Sequence, residues 1–268
     1  VSDVSLALRQ VGYTNKVFWR NPASAFFTFA FPLMFVVIFT SLLGSGDMTL
    51  NGVTINLSTY YVVAEAAFGV ISATYTNVAI STTFNRDVGI LKRTRGTPLP
   101  AWAFMSGRVI HAMILAFILV AITVAFGAVF YSVTIPTGMP LIQFLITLLV
   151  GGLSFCALAL AITAVIPNAD AAPPIVNASI LPLLFLSGIF VPLGDDTPQW
   201  IIAVGTIFPV KHFADAMRAG FLPHVMVPTP AGQVQAFPFD WTDVLVVAAW
   251  GLAGLVLAAR YFSWEPRK

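Results

Sequence analysis

Four of the thirteen lysines and arginines in this 268-residue chain fall in one short stretch, NRDVGILKRTRGTP at positions 85–98, between two strongly hydrophobic runs. Arg86, Asp87, Lys92, Arg93 and Arg95 form a dense set of charges in a sequence that is 58% apolar and 9% charged. Such a set does recognition: guanidinium and ammonium groups pair with the acidic groups of a partner. The groups that carry out covalent chemistry are missing. There is no Gly-Lys dipeptide for a phosphate-binding loop, no HExxH and no GxSxG. His111, His212 and His224 are scattered without metal-ligand spacing, and the single cysteine, Cys156, lies in an apolar run. No catalytic residue, no metal ligand and no cofactor of its own is expected on this chain. The formal charge of +2 is also too small to point to nucleic acid.

A second candidate is Glu65, the one charge in the otherwise uncharged run 58–80. An ionisable side chain inside a span costs roughly 2.5 to 3.5 kcal/mol, so it must face protein or water. Two readings stand. Glu65 is a substrate or proton site, or it is a neutral or hydrogen-bonded carboxyl near the outer leaflet, where burial is cheaper. In the first hydrophobic run Phe27, Phe31, Phe35 and Phe39 recur every fourth residue and form one aromatic face, whose simplest role is packing or lipid contact.

The elements that position these residues follow from hydropathy, which averages +0.90. Crossing a hydrocarbon core of roughly 30 Å takes about 20 mostly apolar residues. Six windows satisfy this: 23–43, 58–80, 104–131, 141–166, 174–193 and 242–262, the third and fourth separated by Pro136, Gly138 and Pro140. The expected fold is an all-α polytopic membrane protein, one transmembrane domain over 1–268, with six transmembrane helices. Positive loops stay in the cytoplasm. With both termini inside, Arg9, Lys16, Arg20, the 85–98 island, Arg108, Arg260, Arg267 and Lys268 are cytoplasmic, and only Lys211 and Arg218 lie outside. The weak joint is the connection 167–173, expected inside yet carrying only Asp170. Residues 1–20 show no cleavable leader and are expected to be retained as a modestly amphipathic interfacial helix.

Within the island, Val88 and Leu91 are spaced to share a helical face, the cations surround it, and Gly96 and Pro98 stop the helix. From charge alone two readings are level: a short element that docks in a partner's groove, or a topogenic signal holding the loop inside. Positions 198–222 form an apolar piece too short to span, then an amphipathic piece with Phe213, Met217 and Phe221 on one face. They are expected to be a pair of short helices dipping into the outer leaflet, with Lys211 and Arg218 at the outer headgroups or, as the second reading, lining the exit. Positions 223–238 are Pro-rich and expected to be an outer loop.

Three stretches resemble the permease subunits of type 2 ABC exporters, a group that includes antibiotic-efflux and polysaccharide-export subunits. They are RNPASAFFTFAFPLMFVVIF at 20–39, NRDVGILKRTRGTPLPAWAFMSGRV at 85–109, and FLSGIFVPL at 185–193 followed by PQW and IFPVKHFADAMR through 218. The resemblance implies that the 85–98 element is a coupling helix touching a separate ATP-binding cassette subunit, which uses ATP and Mg. Its contact candidates are Arg86, Asp87, Gly89, Leu91, Lys92, Arg93 and Arg95. It also implies an elbow helix at 1–20, a re-entrant pair at 198–222, and a second permease chain, identical or not, in the cell membrane. Glu65, Phe31, Phe35, Ser187 and Gly188 are the candidate lining of a path for a hydrophobic or amphipathic substrate, drug or lipid-like. A polysaccharide or glycolipid exporter shares this architecture. An ion-coupled secondary transporter would need midplane carboxylates and internal repeats, and only Glu65 qualifies.

Overall fold

The computed structural model describes residues 3–43, 46–50, 53–97, 99–194, 196–222, 226–229, 232–235 and 237–265. Pro98 at the end of the island, positions 223–225, 230, 231 and 236 of the 223–238 loop, and Arg267 and Lys268 lie outside the described residues. The chain is an all-α polytopic membrane protein. Among the described residues five helices are long and apolar enough to cross a membrane, and a sixth apolar helix is shorter.

Helix α1 (Asp3–Trp19) leads into α2 (Pro22–Leu43), and a small antiparallel hairpin, β1 (Asp47–Leu50) with β2 (Val53–Asn56), carries the chain to α3. The Asn56 side chain caps α3 by accepting from Thr59 N at 3.2 Å. α3 (Leu57–Ile71) passes through a π-turn, Ser72–Thr76, into α4 (Asn77–Asp87), making one continuous 31-residue helix. Thirteen of the fifteen α3 residues are buried, so this helix is the axis of the bundle. The sequence window for it stops at 80, but the helix runs on through polar residues to Asp87. Thr82, Thr83 and Arg86 in that extension are buried against neighbouring helices, and tertiary packing overrides composition there.

After α5 (Ile90–Arg95) come α6 (Ala101–Tyr131) and α7 (Met139–Ile162), then α8 (Ala172–Phe185), α9 (Gln199–Gly205) and α10 (Pro209–Phe221). A second hairpin, β3 (Met226–Thr229) with β4 (Gly232–Gln235), precedes α11 (Trp241–Tyr261). α11 lies tightly on α7: a Cβ added at Gly254 would sit 2.9 Å from the backbone N of Leu158, so only glycine allows this approach. The window 174–193 is corrected: α8 has 14 residues, about 21 Å of helix, and stops at Phe185. The carbonyls just beyond it are taken by side chains from other helices, as set out below.

Candidate functional site

The island divides into a buried half and an exposed half. α4 ends at Asp87, and Gly89 turns the chain with φ of +76°, a left-handed conformation that costs a side chain energy and costs glycine little. The turn sets α5 off from α4. Leu91 is 0% exposed and roots α5 in the body, while Lys92, Arg93 and Arg95 point outward beside exposed Val88 and Ile90. Val88 and Leu91 therefore do not share a face, contrary to the helical spacing, because the Gly89 turn falls between them. None of the three outward cations takes part in an ion pair among the described residues.

Arg86 is 1% exposed and does not present itself to a partner. Its Nη1 donates to Thr163 O at 2.7 Å and its Nη2 to Ile166 O at 2.5 Å, at the C-terminal end of α7. Cations suit that end of a helix, whose last carbonyls lack amide partners. Asp87 Oδ2 in turn accepts from Ala169 N at 3.1 Å. These two residues grip the 163–171 connection, so the loop that lacks positive charge in sequence has Arg86 against it in space.

The same long helix holds α8 along its length. Midway, the Tyr75 hydroxyl in the π-turn shares a 2.8 Å hydrogen bond with Ser179 Oγ. At the far end the Tyr60 hydroxyl donates to Gly188 O at 2.5 Å. Partners thus pair antiparallel, 60 with 188, 75 with 179 and 87 with 169. Arg218 of α10 completes the far contact: it donates to Ser187 O at 3.0 Å, to Gly188 O at 3.2 Å and to the Tyr60 hydroxyl at 3.2 Å, and it pairs with Asp215. Arg218 is buried, not at the headgroups, because these carbonyls and the carboxylate replace its water. Lys211 Nζ lies 2.6 Å from the other Asp215 oxygen. Burial works against the Asp215 carboxylate, but Arg218 and Lys211 overcome it and hold the carboxyl below the usual range. Sequence reading placed Phe213, Met217 and Phe221 on one face of α10, and all three are buried.

Of the remaining candidates, Glu65 and Ser187 are buried, Phe35 is half-buried and Phe31 is exposed. Phe31 and Phe35 pack with Phe68 of α3 and Phe190, with ring centroids between 4.8 and 6.3 Å apart. Ser187 and Gly188 are occupied by the Arg218 contacts, and Ser187 Oγ donates to Leu184 O at 2.8 Å. Glu65 is 0% exposed, and neither of its oxygens has a hydrogen-bond partner among the described residues. The hydroxyl of Tyr61, one turn away, is unpartnered as well, while its ring stacks on Phe39 at 4.8 Å. Next to the end of α8 is a mostly apolar cavity of about 610 Å³, bounded by Phe185, Val191, Leu193 and Ile201, with Asp196 at its wall. Tyr60 and Tyr75 have no sequence signal of a role, and Arg108 reads in sequence only as a cytoplasmic charge. Arg108 is buried and donates to Ser81 Oγ at 2.9 Å, a contact across 27 residues that local pattern does not display.

Residues 11–222 match the sequence family described as ABC-2 type transporter. The chain is also similar to the probable multidrug ABC transporter permease YbhR of Escherichia coli (strain K12), with 28% identity over 144 residues. That match covers 54% of this chain and 38% of the relative, so it spans well under half of the relative's length. The protein of the same name from Escherichia coli O157:H7 gives the same figures.

The Asp215 pairing sets a pH dependence. Its folded value is depressed, so its contribution is complete above the unfolded value of about 4 and is lost as pH falls through the lower folded value. The thermal midpoint of the purified chain should drop on acidification below about pH 4. Asp215→Asn should flatten that acid limb; an equally steep limb in the variant would assign it to another group.

Proposed function

Because the chain belongs to the ABC-2 type transporter family, we propose that it is the membrane-spanning subunit of an exporter powered by a separate ATP-hydrolysing chain docked on α5. The observation that carries this reading is the α5 surface itself. Three cations without an ion pair among the described residues and two exposed apolar side chains sit on a short element rooted by Leu91, directly beside the Arg86 and Asp87 grip. A groove with an acidic rim and an apolar floor is the complementary partner surface. Force applied there reaches the 163–171 connection and, through α8, the turn at 187–188. Of the seven coupling candidates, Lys92, Arg93 and Arg95 make the contact, Gly89 shapes it, and Arg86, Asp87 and Leu91 hold it to the bundle. The chain works as a pair of permeases with both termini cytoplasmic, in keeping with the excess of positive residues on the side of α5. ATP and Mg are then used by the partner.

The substrate is amphipathic, drug or lipid-like. The Phe31, Phe35, Phe68 and Phe190 cluster supports this reading by offering apolar surface, and Glu65 supports it by offering a carboxylate that no described residue satisfies.

Charge reversal by Arg93→Glu with Arg95→Glu should abolish export while membrane insertion and the partner's ATP hydrolysis persist. Normal export by that double variant would remove α5 as the docking element. Glu65→Gln should reduce export of cationic substrates and spare neutral ones. An unchanged substrate profile would make Glu65 a structural carboxyl.

A further inference from the structure

α1 has two opposed faces. At 3.6 residues per turn, positions 9, 16 and 20 fall within about 40° of one another, so Arg9, Lys16 and Arg20 form one stripe. All three are exposed, and none is in an ion pair among the described residues. Ala7 and Phe18, roughly opposite, are buried. That inner face packs on the first turns of α6: a Cβ at Gly107 would lie 2.7 Å from the Gln10 Cβ, and the Phe18 ring meets His111 at 5.7 Å. Flanking the stripe, Tyr13 and Val17 on one side and Leu8 and Trp19 on the other are each more than half exposed.

Helix length accommodates this face at the bilayer surface. α6 has 31 residues, about 46 Å of helix, against roughly 30 Å of hydrocarbon, so about 16 Å of it extends beyond the core, room for the turns that α1 packs on. α2 begins at Pro22, two residues after Arg20, and its Phe26 and Phe27 are about two-thirds exposed, at 65% and 63%. Trp19 is held at the corner by stacking on Phe29 at 5.9 Å and by donating to Asn15 Oδ1 at 3.1 Å. Cations in the middle, with Tyr, Trp and aliphatic side chains on both flanks, match a layer in which phosphates adjoin acyl chains.

We propose that the outward face of α1 binds anionic phospholipid headgroups, with Arg9, Lys16 and Arg20 on the phosphates and Leu8, Tyr13, Val17 and Trp19 entering the adjoining apolar layer. The inference rests on the proposed placement of α1 at the cytoplasmic leaflet, and lipid binding can be read without any transport assay. The partner is a lipid surface because three cations with no ion pair among the described residues call for fixed negative charge, and the flanking side chains call for hydrocarbon.

The test is native mass spectrometry of the full chain offered equal amounts of phosphatidylglycerol and phosphatidylcholine. A preference for phosphatidylglycerol of at least about tenfold is expected from three cations facing an anionic surface. It should vanish in the triple variant Arg9→Gln, Lys16→Gln, Arg20→Gln, with helicity and elution volume unchanged, and return when Arg9 and Arg20 are made Lys and Lys16 is kept. Free glycerol 3-phosphate should not compete at the lipid's concentration. The proposal is overturned if the triple variant keeps the preference, if glycerol 3-phosphate displaces the lipid, or if neutralising Lys92, Arg93 and Arg95 causes an equal loss. A triple variant that keeps its lipid preference but no longer co-purifies with an ATPase would assign the face to the protein partner. Lost lipid preference with coupled ATPase intact would support the lipid assignment and leave the proposed function standing.

Discussion

The antiparallel seating of α8 on the long α3–α4 helix is the constraint on which the rest of the structure depends. α8 is too short to cross the bilayer as a free helix, and the chain entering and leaving it carries backbone carbonyls that need donors when buried away from water. Arg86 takes carbonyls at the connection entering α8, and Arg218 with Tyr60 takes those leaving it. Tyr75 and Ser179 fix the middle. The long helix thereby holds α8 at its middle and the chain at both its ends, so α8 cannot slide or tilt at one end without straining contacts at the other.

The two arginines are expensive residues made tolerable by geometry. A buried guanidinium left without partners is strongly destabilising, whereas one whose donors meet carbonyls and a carboxylate can be accommodated. Arg218 has Asp215 as counter-charge, and Asp215 also holds Lys211. α10 is thus pinned to the axis through a charge cluster and not through apolar contact alone. Glu65 differs from these arginines: its oxygens meet no donor among the described residues, and the Tyr61 hydroxyl one turn away has no partner there either.

Much of the architecture was legible because hydropathy and positive-residue bias are strong, low-resolution signals. The long windows, the island and the amphipathic face of α10 follow directly from them. Spacing misled at Val88 and Leu91, where the left-handed Gly89 breaks the helix between two residues that looked like neighbours. It also misled at Arg86 and Arg218. In a sequence poor in charge, an arginine next to a span reads as surface, and only long-range contact to carbonyls 77 and 30 residues away reveals these as internal clamps. The shortness of α8 was hidden for the same reason: residues 186–193 are apolar enough to continue a helix, and the side chains that divert their carbonyls come from elsewhere in the fold.

Hydrogen–deuterium exchange of Arg86→Gln in lipid nanodiscs tests most directly whether α8 transmits between the two clamps. Exchange should rise at 163–171 and also at 186–190, at the opposite end of α8. A rise confined to 163–171, with 186–190 as protected as in the unaltered chain, would contradict a mechanically continuous α8.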